Sequence, residues 1–206
     1  MKIVGKGRTA TIRALDDSKV LKLFNPAFPK SSVIEEYNKN VYLNTLQLPM
    51  PRVYEWHQYD LQYGIVYERA SDKTLLTLLL SQKMDTQKIG QMMAETHHQI
   101  HQQHGPELPG LKAEIKKLLP HLPVSSLEKA RILTYLNGLK DDDIVCHLDF
   151  HPDNILYHDH AVVIDWANAF HGNAFADVCV SLVILTFAQA EDIPAPLMAV
   201  SRILQA

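Results

Sequence analysis

Residues 144–166 read IVCHLDFHPDNILYHDHAVVIDW. Two apolar runs inside this stretch, Ile155-Leu156-Tyr157 and Val162-Val163-Ile164, have strand-like composition and flank the polar tip His158-Asp159-His160. Pairing them as a hairpin with Tyr157 facing Val162 puts Asn154 opposite Asp165 at the open end. Paired strands run about 4.8 Å apart, so an amide oxygen and a carboxylate would project from neighbouring positions. Hard oxygen donors that close suit Mg²⁺, which takes one or two protein oxygens and completes its shell with water and phosphates. Asp149 precedes Asn154 across a turn containing Pro152, which returns a second carboxylate to the same mouth without placing it on the metal.

Metal ligands that bridge phosphates, together with one carboxylate that orients a hydroxyl, are the parts that phosphoryl transfer needs. An aspartate with an ordinary pKa of about 3.9 is a weak base for an alcohol, so Asp149 would mainly position the nucleophile and accept its proton late. His147-Leu148-Asp149 followed by Asn154 matches the HxDxxxxN catalytic-loop pattern of kinases, and Ile164-Asp165-Trp166 stands where protein kinases have Asp-Phe-Gly. The form HLDFHPDNIL, then IDW, then Gly172 and Asp177, resembles the aminoglycoside phosphotransferase and choline kinase group. That resemblance implies Asp149 as the catalytic residue and Asn154 and Asp165 as magnesium ligands. It further implies that His147 supports the loop backbone and that Asp177 braces the loop from the start of a helix. The expected donor is ATP or GTP, and the expected acceptor is a small hydroxylated molecule. Protein acceptors fit less well, because His151-Pro152 stands where serine and threonine kinases commonly carry a lysine.

The N-terminal part supplies matching features. Lys22 is a single charge in the apolar run Val20-Leu21-Lys22-Leu23-Phe24, as is the kinase lysine that holds the α- and β-phosphates. Its expected partner is a glutamate on the next helix. Counting back from Leu48-Pro49-Met50-Pro51, which resembles the family's LPVP turn, favours Glu36 over Glu35. Gly5 and Gly7 lie before a strand, where a hairpin could close over phosphates. Glu68 and Ala70 fall at the lobe boundary, where kinases bind adenine through backbone groups.

Alternation and β-branched content predict strands at residues 9–14, 19–24, 52–56 and 61–67. A helix is predicted over residues 31–46, with Ser31 or Ser32 as its cap, Glu35 and Glu36 in its first turn, and Pro49 and Pro51 closing it. From residue 73 onward the apolar spacing is helical: 73–83, 85–104, 111–119 and 125–139. The expected class is therefore α+β in two lobes, with a small antiparallel sheet and one helix in residues 1–68 and a mostly helical lobe in residues 69–206, and the resemblance implies that this is a protein-kinase-like fold. The cleft between lobes is the default ligand site.

The charge balance, 20 Lys and Arg against 23 Asp and Glu for a net −3, carries no nucleic-acid footprint or membrane-surface helix. Cys146 and Cys179 sit in apolar company, as reduced core residues do, and the polar N-terminus lacks a secretory signal, so a cytoplasmic location is expected. The most apolar stretch, residues 174–190, is interrupted by Asp177 and reads as a buried core helix rather than a membrane span.

Two other functions compete. His147, Asp149 and His151 could form the metal cluster of a hydrolase, although such an enzyme would need neither Lys22 nor the Asn154 and Asp165 hairpin. A non-catalytic nucleotide-binding or regulatory module is the second, suggested because about thirty residues follow Asp177 where the group carries further helices shaping the acceptor pocket. His97, His101 and His104 share a helix face, but without an HExxH glutamate or an acidic neighbour they read as packed or solvated side chains.

Overall fold

The computed structural model describes residues 1–187 of the 206. The first half of the fold is a five-stranded antiparallel sheet with one helix. β1 (Ile3–Lys6), β2 (Ala10–Ala14) and β3 (Lys19–Phe24) form a meander, and after α1 (Lys30–Leu43) the hairpin of β4 (Val53–Tyr59) and β5 (Gln62–Glu68) completes the sheet in the order β1-β2-β3-β5-β4. β3 is central because its run alternates between two faces: Leu21 and Leu23 are buried on one, Lys22 and Phe24 project from the other. β1 has no counterpart in the sequence-based expectation. It is a four-residue edge strand with an exposed Ile3, so it shows little of the alternation that marks half-buried strands.

α1 departs from expectation at its start. Pro29 is the cap residue, extended at φ −64° and ψ 135°, and its carbonyl accepts from Ser32 and Val33, so Ser31 and Ser32 lie inside the helix. With Lys30 at the first position, Glu35 and Glu36 fall beyond the first turn, away from the helix dipole's favourable end. Proline at 29 suits the boundary because its fixed φ is compatible with the extended cap conformation and its missing N–H is not needed there, just where helical bonding begins. The buried stripe of α1 is Val33, Glu36, Asn40 and Leu43, spaced three and four apart.

The remainder is mostly helical. α2 (Leu75–Leu80) is capped by Thr74, α3 (Thr86–Ile100) by Asp85, and α5 (Ser126–Gly138), which follows α4 (Leu111–Leu118), by a reciprocal Ser125 and Glu128 capping box. Between α5 and the last helix the chain makes four three-residue strands. β6 (Ile144–Cys146) pairs with β9 (Phe170–Gly172), and β7 (Ile155–Tyr157) pairs with β8 (Ala161–Val163). Leu75, Ile100, Val145, Phe150, Ile155, Val163 and Trp166 make the core here, and Leu43 at the end of α1 reaches into it. α1 also packs on the 3-10 turn Trp166–Asn168, so one helix ties the sheet to the loops that follow Asp165.

α6 (Ala174–Phe187) overturns the expectation of a buried core helix. Phe175, Leu182, Val183 and Phe187 are exposed, whereas the two buried residues of α6 are polar, Asp177 and Ser181. The inward face is chosen by what Asp177 binds rather than by apolar content. Residues 188–190 of the predicted helix lie outside the described residues. Both cysteines are free thiols.

Candidate active site

The loop after β6 is held from behind. Asp177, fully buried, accepts from the backbone N–H of Leu148 on Oδ1 at 2.7 Å and from that of His147 on Oδ2 at 2.8 Å. His97 Nε2 and His101 Nε2 lie 2.9 and 3.0 Å from the same Oδ2. Burial alone would raise the carboxyl's pKa, but these hydrogen bonds outweigh it and hold the group well below the usual carboxylate range. The clamp coincides with a left-handed Leu148, φ 58°, a conformation costing an ordinary L-residue about 1–2 kcal/mol. The next residue, Asp149, accepts from Asn154 on Oδ2 and has Oδ1 3.6 Å from His151 Nε2.

His147 is buried and uses both ring nitrogens. Nδ1 accepts from Asp149 N at 3.2 Å, so the proton sits on Nε2, which donates to Ile164 O at 3.0 Å. Burial pushes its pKa down, which keeps the ring neutral. A ring so committed cannot join a metal cluster with Asp149 and His151, and the hydrolase arrangement is not assembled.

Asn154 ends a 3-10 turn begun by Pro152. Its Nδ2 donates to Asp149 O at 2.9 Å and to Asp149 Oδ2 at 3.1 Å, which orients the amide and leaves Oδ1 without a partner among the described residues. The hairpin register differs by one from expectation: Tyr157 pairs with Ala161, Leu156 with Val162 and Ile155 with Val163, which sets Asn154 beside Ile164, whose N–H it accepts at 2.9 Å. The tip is closed by three residues, and Ala161, small but strand-compatible, joins the ladder. Asp165 regains the cleft by another route. Its backbone is left-handed, φ 64° and ψ 56°, which an aspartate tolerates better than most residues, and it swings the carboxylate toward Asn154's side.

Lys22 completes the group. Its Nζ lies 2.8 Å from Glu36 Oε1 and 2.9 Å from Asp165 Oδ1. Burial would lower its pKa, but the charges of Glu36 and Asp165 outweigh that and raise it; reciprocally, Lys22 overcomes the burial of Asp165 and lowers the carboxyl's pKa. Glu36, not Glu35, makes this contact because Glu36 occupies the buried stripe of α1. The supporting roles of four residues escaped the sequence analysis. Tyr67 OH donates to Glu36 Oε1 at 3.2 Å, Lys39 Nζ donates to Ala167 O at 2.6 Å, and His97 and His101 act as one unit on Asp177. The expectation that these histidines lack an acidic neighbour fails, since Asp177 arrives from a different helix, and His104 likewise meets Asp143 at 2.6 Å. The helical spacing of the histidines was the only signal, and it names no partner.

These groups open on a cavity of about 420 Å³ lined by Lys22, Glu36, Asn154 and Asp165, with Gly5 and Gly7 of the β1–β2 hairpin and Glu68 and Ala70 on its walls. Neither glycine has a positive φ. The N–H groups of Glu68 and Arg69 are bonded to Arg52 O and Ser18 O, while the Ala70 backbone has no partner among the described residues. The donor set fits a hard divalent cation: Asn154 Oδ1 and Asp165 Oδ2 are both oxygens without hydrogen bonds among the described residues, and Lys22 occupies only the other carboxylate oxygen.

A family model described as "Phosphotransferase enzyme family" matches residues 1–199. The chain belongs to that family. Among solved structures, this phosphotransferase is similar to an aminoglycoside-3'-phosphotransferase of type VIII (18% identity, TM-score 0.63, 90% of this chain and 76% of that one). It is also similar to the aminoglycoside phosphotransferase APH(3'')-Id from Streptomyces rimosus in complex with ADP and streptomycin (15%, 0.59, 93% and 80%). A third is ADP-bound APH(2'')-Ib (17%, 0.60, 90% and 70%). At these identities the likeness shows the fold, which is the kinase-like two-lobe α+β fold. No curated protein matches the chain by sequence.

Proposed function

We propose that this phosphotransferase moves the γ-phosphate of ATP, or of GTP, to a hydroxyl of a small polar molecule, with residues 1–68 as the nucleotide-binding lobe and residues 69–206 as the lobe carrying the catalytic loop. The observation that carries it is the convergence of Lys22, Glu36, Asn154 and Asp165 on one cavity, with Asp149 hydrogen-bonded to Asn154 beside them. Lys22, held by Glu36, would neutralise the α- and β-phosphates. Asn154 Oδ1 and Asp165 Oδ2 would hold Mg²⁺, which supplies charge neutralisation at the phosphates. Asp149 has Oδ2 tied to Asn154 and Oδ1 3.6 Å from His151 Nε2, so Oδ1 is free to accept from the acceptor hydroxyl and aim its oxygen. Ala70's backbone and Glu68 would receive the base, and Gly5 and Gly7 would cover the phosphates. Similar folds bound to ADP with streptomycin lend support to a nucleotide and a hydroxylated acceptor. Among the described residues no helix is long and apolar enough to cross a membrane. A cytoplasmic location belongs to the same proposal.

The test pairs a thermal shift with turnover. A nucleotide at about a hundred times its dissociation constant stabilises by roughly 2.7 kcal/mol, or about 5 to 11 °C for a chain of this size. A Mg²⁺-dependent shift with ADP release on some hydroxylated metabolite is expected. A shift with no release across a broad acceptor panel would favour a non-catalytic nucleotide-binding module, and no shift at all would remove the proposal.

A further inference from the structure

His97 and His101 stand one turn apart on α3 and direct both Nε2 atoms at a single oxygen of Asp177 on α6. Among the described residues this is the one group of three whose ligand atoms all lie within 4.8 Å of one another. None of the three residues lines the nucleotide cavity. We propose that His97 Nε2, His101 Nε2 and Asp177 Oδ2 form a site for a zinc-class divalent ion, distinct from the magnesium pair Asn154 and Asp165.

Three features of the site carry this. The ligand identities are those of zinc rather than magnesium: two imidazoles and one carboxylate, where magnesium prefers oxygen alone. The spacing is nearly that of a coordinated set. Zinc bonds of about 2.05 Å in a tetrahedron put neighbouring ligand atoms about 3.3 Å apart, and the two N–O separations here are 2.9 and 3.0 Å, so an opening of a few tenths of an ångström admits the ion. The protons also balance. Each neutral imidazole that donates from Nε2 shifts its proton to Nδ1, leaving Nε2 as a lone-pair ligand and the ion in the place of two hydrogens. Oδ2 keeps the His147 N–H and Oδ1 the Leu148 N–H, so the catalytic loop stays attached.

The surroundings favour such an ion. The imidazole side chains are 10% and 11% exposed, which gives a route for exchange and a place for a water as fourth ligand. His97 is pinned by stacking on Phe150 at 4.1 Å, so little side-chain freedom remains to be lost. Ser181, one turn along α6 from Asp177 and on the same face, has a buried hydroxyl with no hydrogen-bond partner among the described residues, and a metal-bound water on that face would supply one.

The test is zinc binding to the full chain by calorimetry in excess Mg²⁺, which fills oxygen sites and competes poorly for imidazole. One ion per chain and a rise in melting temperature are expected. His97→Gln and His101→Gln keep an N–H donor for Asp177 but remove the imidazole, and each should weaken zinc binding by about 100-fold or more, beyond the loss typical of removing a residue that only supports a ligand; His121→Gln should change nothing. Zinc-edge X-ray absorption on the wild type, which needs no variant to fold, should show two imidazoles in the first shell. No stoichiometric binding, undiminished binding in both Gln variants, or an absorption spectrum without imidazole would each overturn the site.

Discussion

Replacing Asp177 by alanine tests how the loop that carries Asp149 is held. The carboxylate accepts two backbone N–H groups, from His147 and Leu148, and two imidazoles. After truncation the imidazoles, at the edge of the surface, can turn to water. The buried His147 N–H cannot, and Leu148 N–H loses its acceptor as well. Each orphaned buried donor costs about 1–3 kcal/mol, and removing one partner of a buried charged cluster costs about 3–5 kcal/mol in all. For a chain of this length that corresponds to a drop in melting temperature of about 6–20 °C. Calorimetry or denaturant unfolding of wild type and Asp177→Ala, both without added metal, reads it directly. The pH dependence supplies a second signature. The folded carboxyl titrates well below its unfolded value of about 3.9, so its stabilisation is fully present above that value and is lost as pH falls through the folded one. The gap between wild type and variant should therefore narrow below about pH 4. A loss under about 1 kcal/mol at pH 7 would show that the two N–H groups do not depend on Asp177.

Asp149→Ala should abolish phosphoryl transfer while nucleotide binding, read by thermal shift, stays near wild type; Asp165→Ala should erase the magnesium contribution to nucleotide affinity, and its survival would remove Asp165 from the metal. Lys22→Met leaves Glu36 buried with only Tyr67 as partner, for an expected loss of about 3 kcal/mol in unfolding experiments. Adding Glu36→Gln should recover part of that loss, and strict additivity of the two changes would refute the coupling. Gly64→Ala places a Cβ 2.6 Å from Leu21 Cδ1, whose side chain must re-pack, and 3.2 Å from Lys22 O, so β3 must give by a few tenths of an ångström, with a destabilisation of about 1–3 kcal/mol and a raised nucleotide KM because Lys22 moves with its strand. An unchanged melting temperature in that variant would show that the sheet has room the structure denies.

Much of the sheet and most helices were legible because their signals are local. β3 announces itself by alternation, α5 by apolar residues at helical spacing, and the HLDFHPDN segment by a spacing that chemistry constrains tightly. β6 and β9 left no such mark. Each is three residues long and pairs across more than twenty positions of sequence, so no periodicity could reveal either. The hairpin register slipped by one because Ala161 is a weak strand former on paper and a ladder member once Tyr157 faces it.

From its residues alone, the chain determined which side chains had the right chemistry: a lone lysine in an apolar strand, an amide and two carboxylates around a short hairpin, and an aspartate at the head of an apolar helix. Only the tertiary structure decided which of them meet. Left-handed backbone at Leu148 and Asp165 aims two carboxylates in ways that spacing does not encode, and the burial stripe of α1 selects Glu36 for Lys22. The pair of histidines on α3 found its acid on another helix. Contacts between residues far apart in the chain depend on how whole elements pack, and packing is a property of the assembled core rather than of any segment.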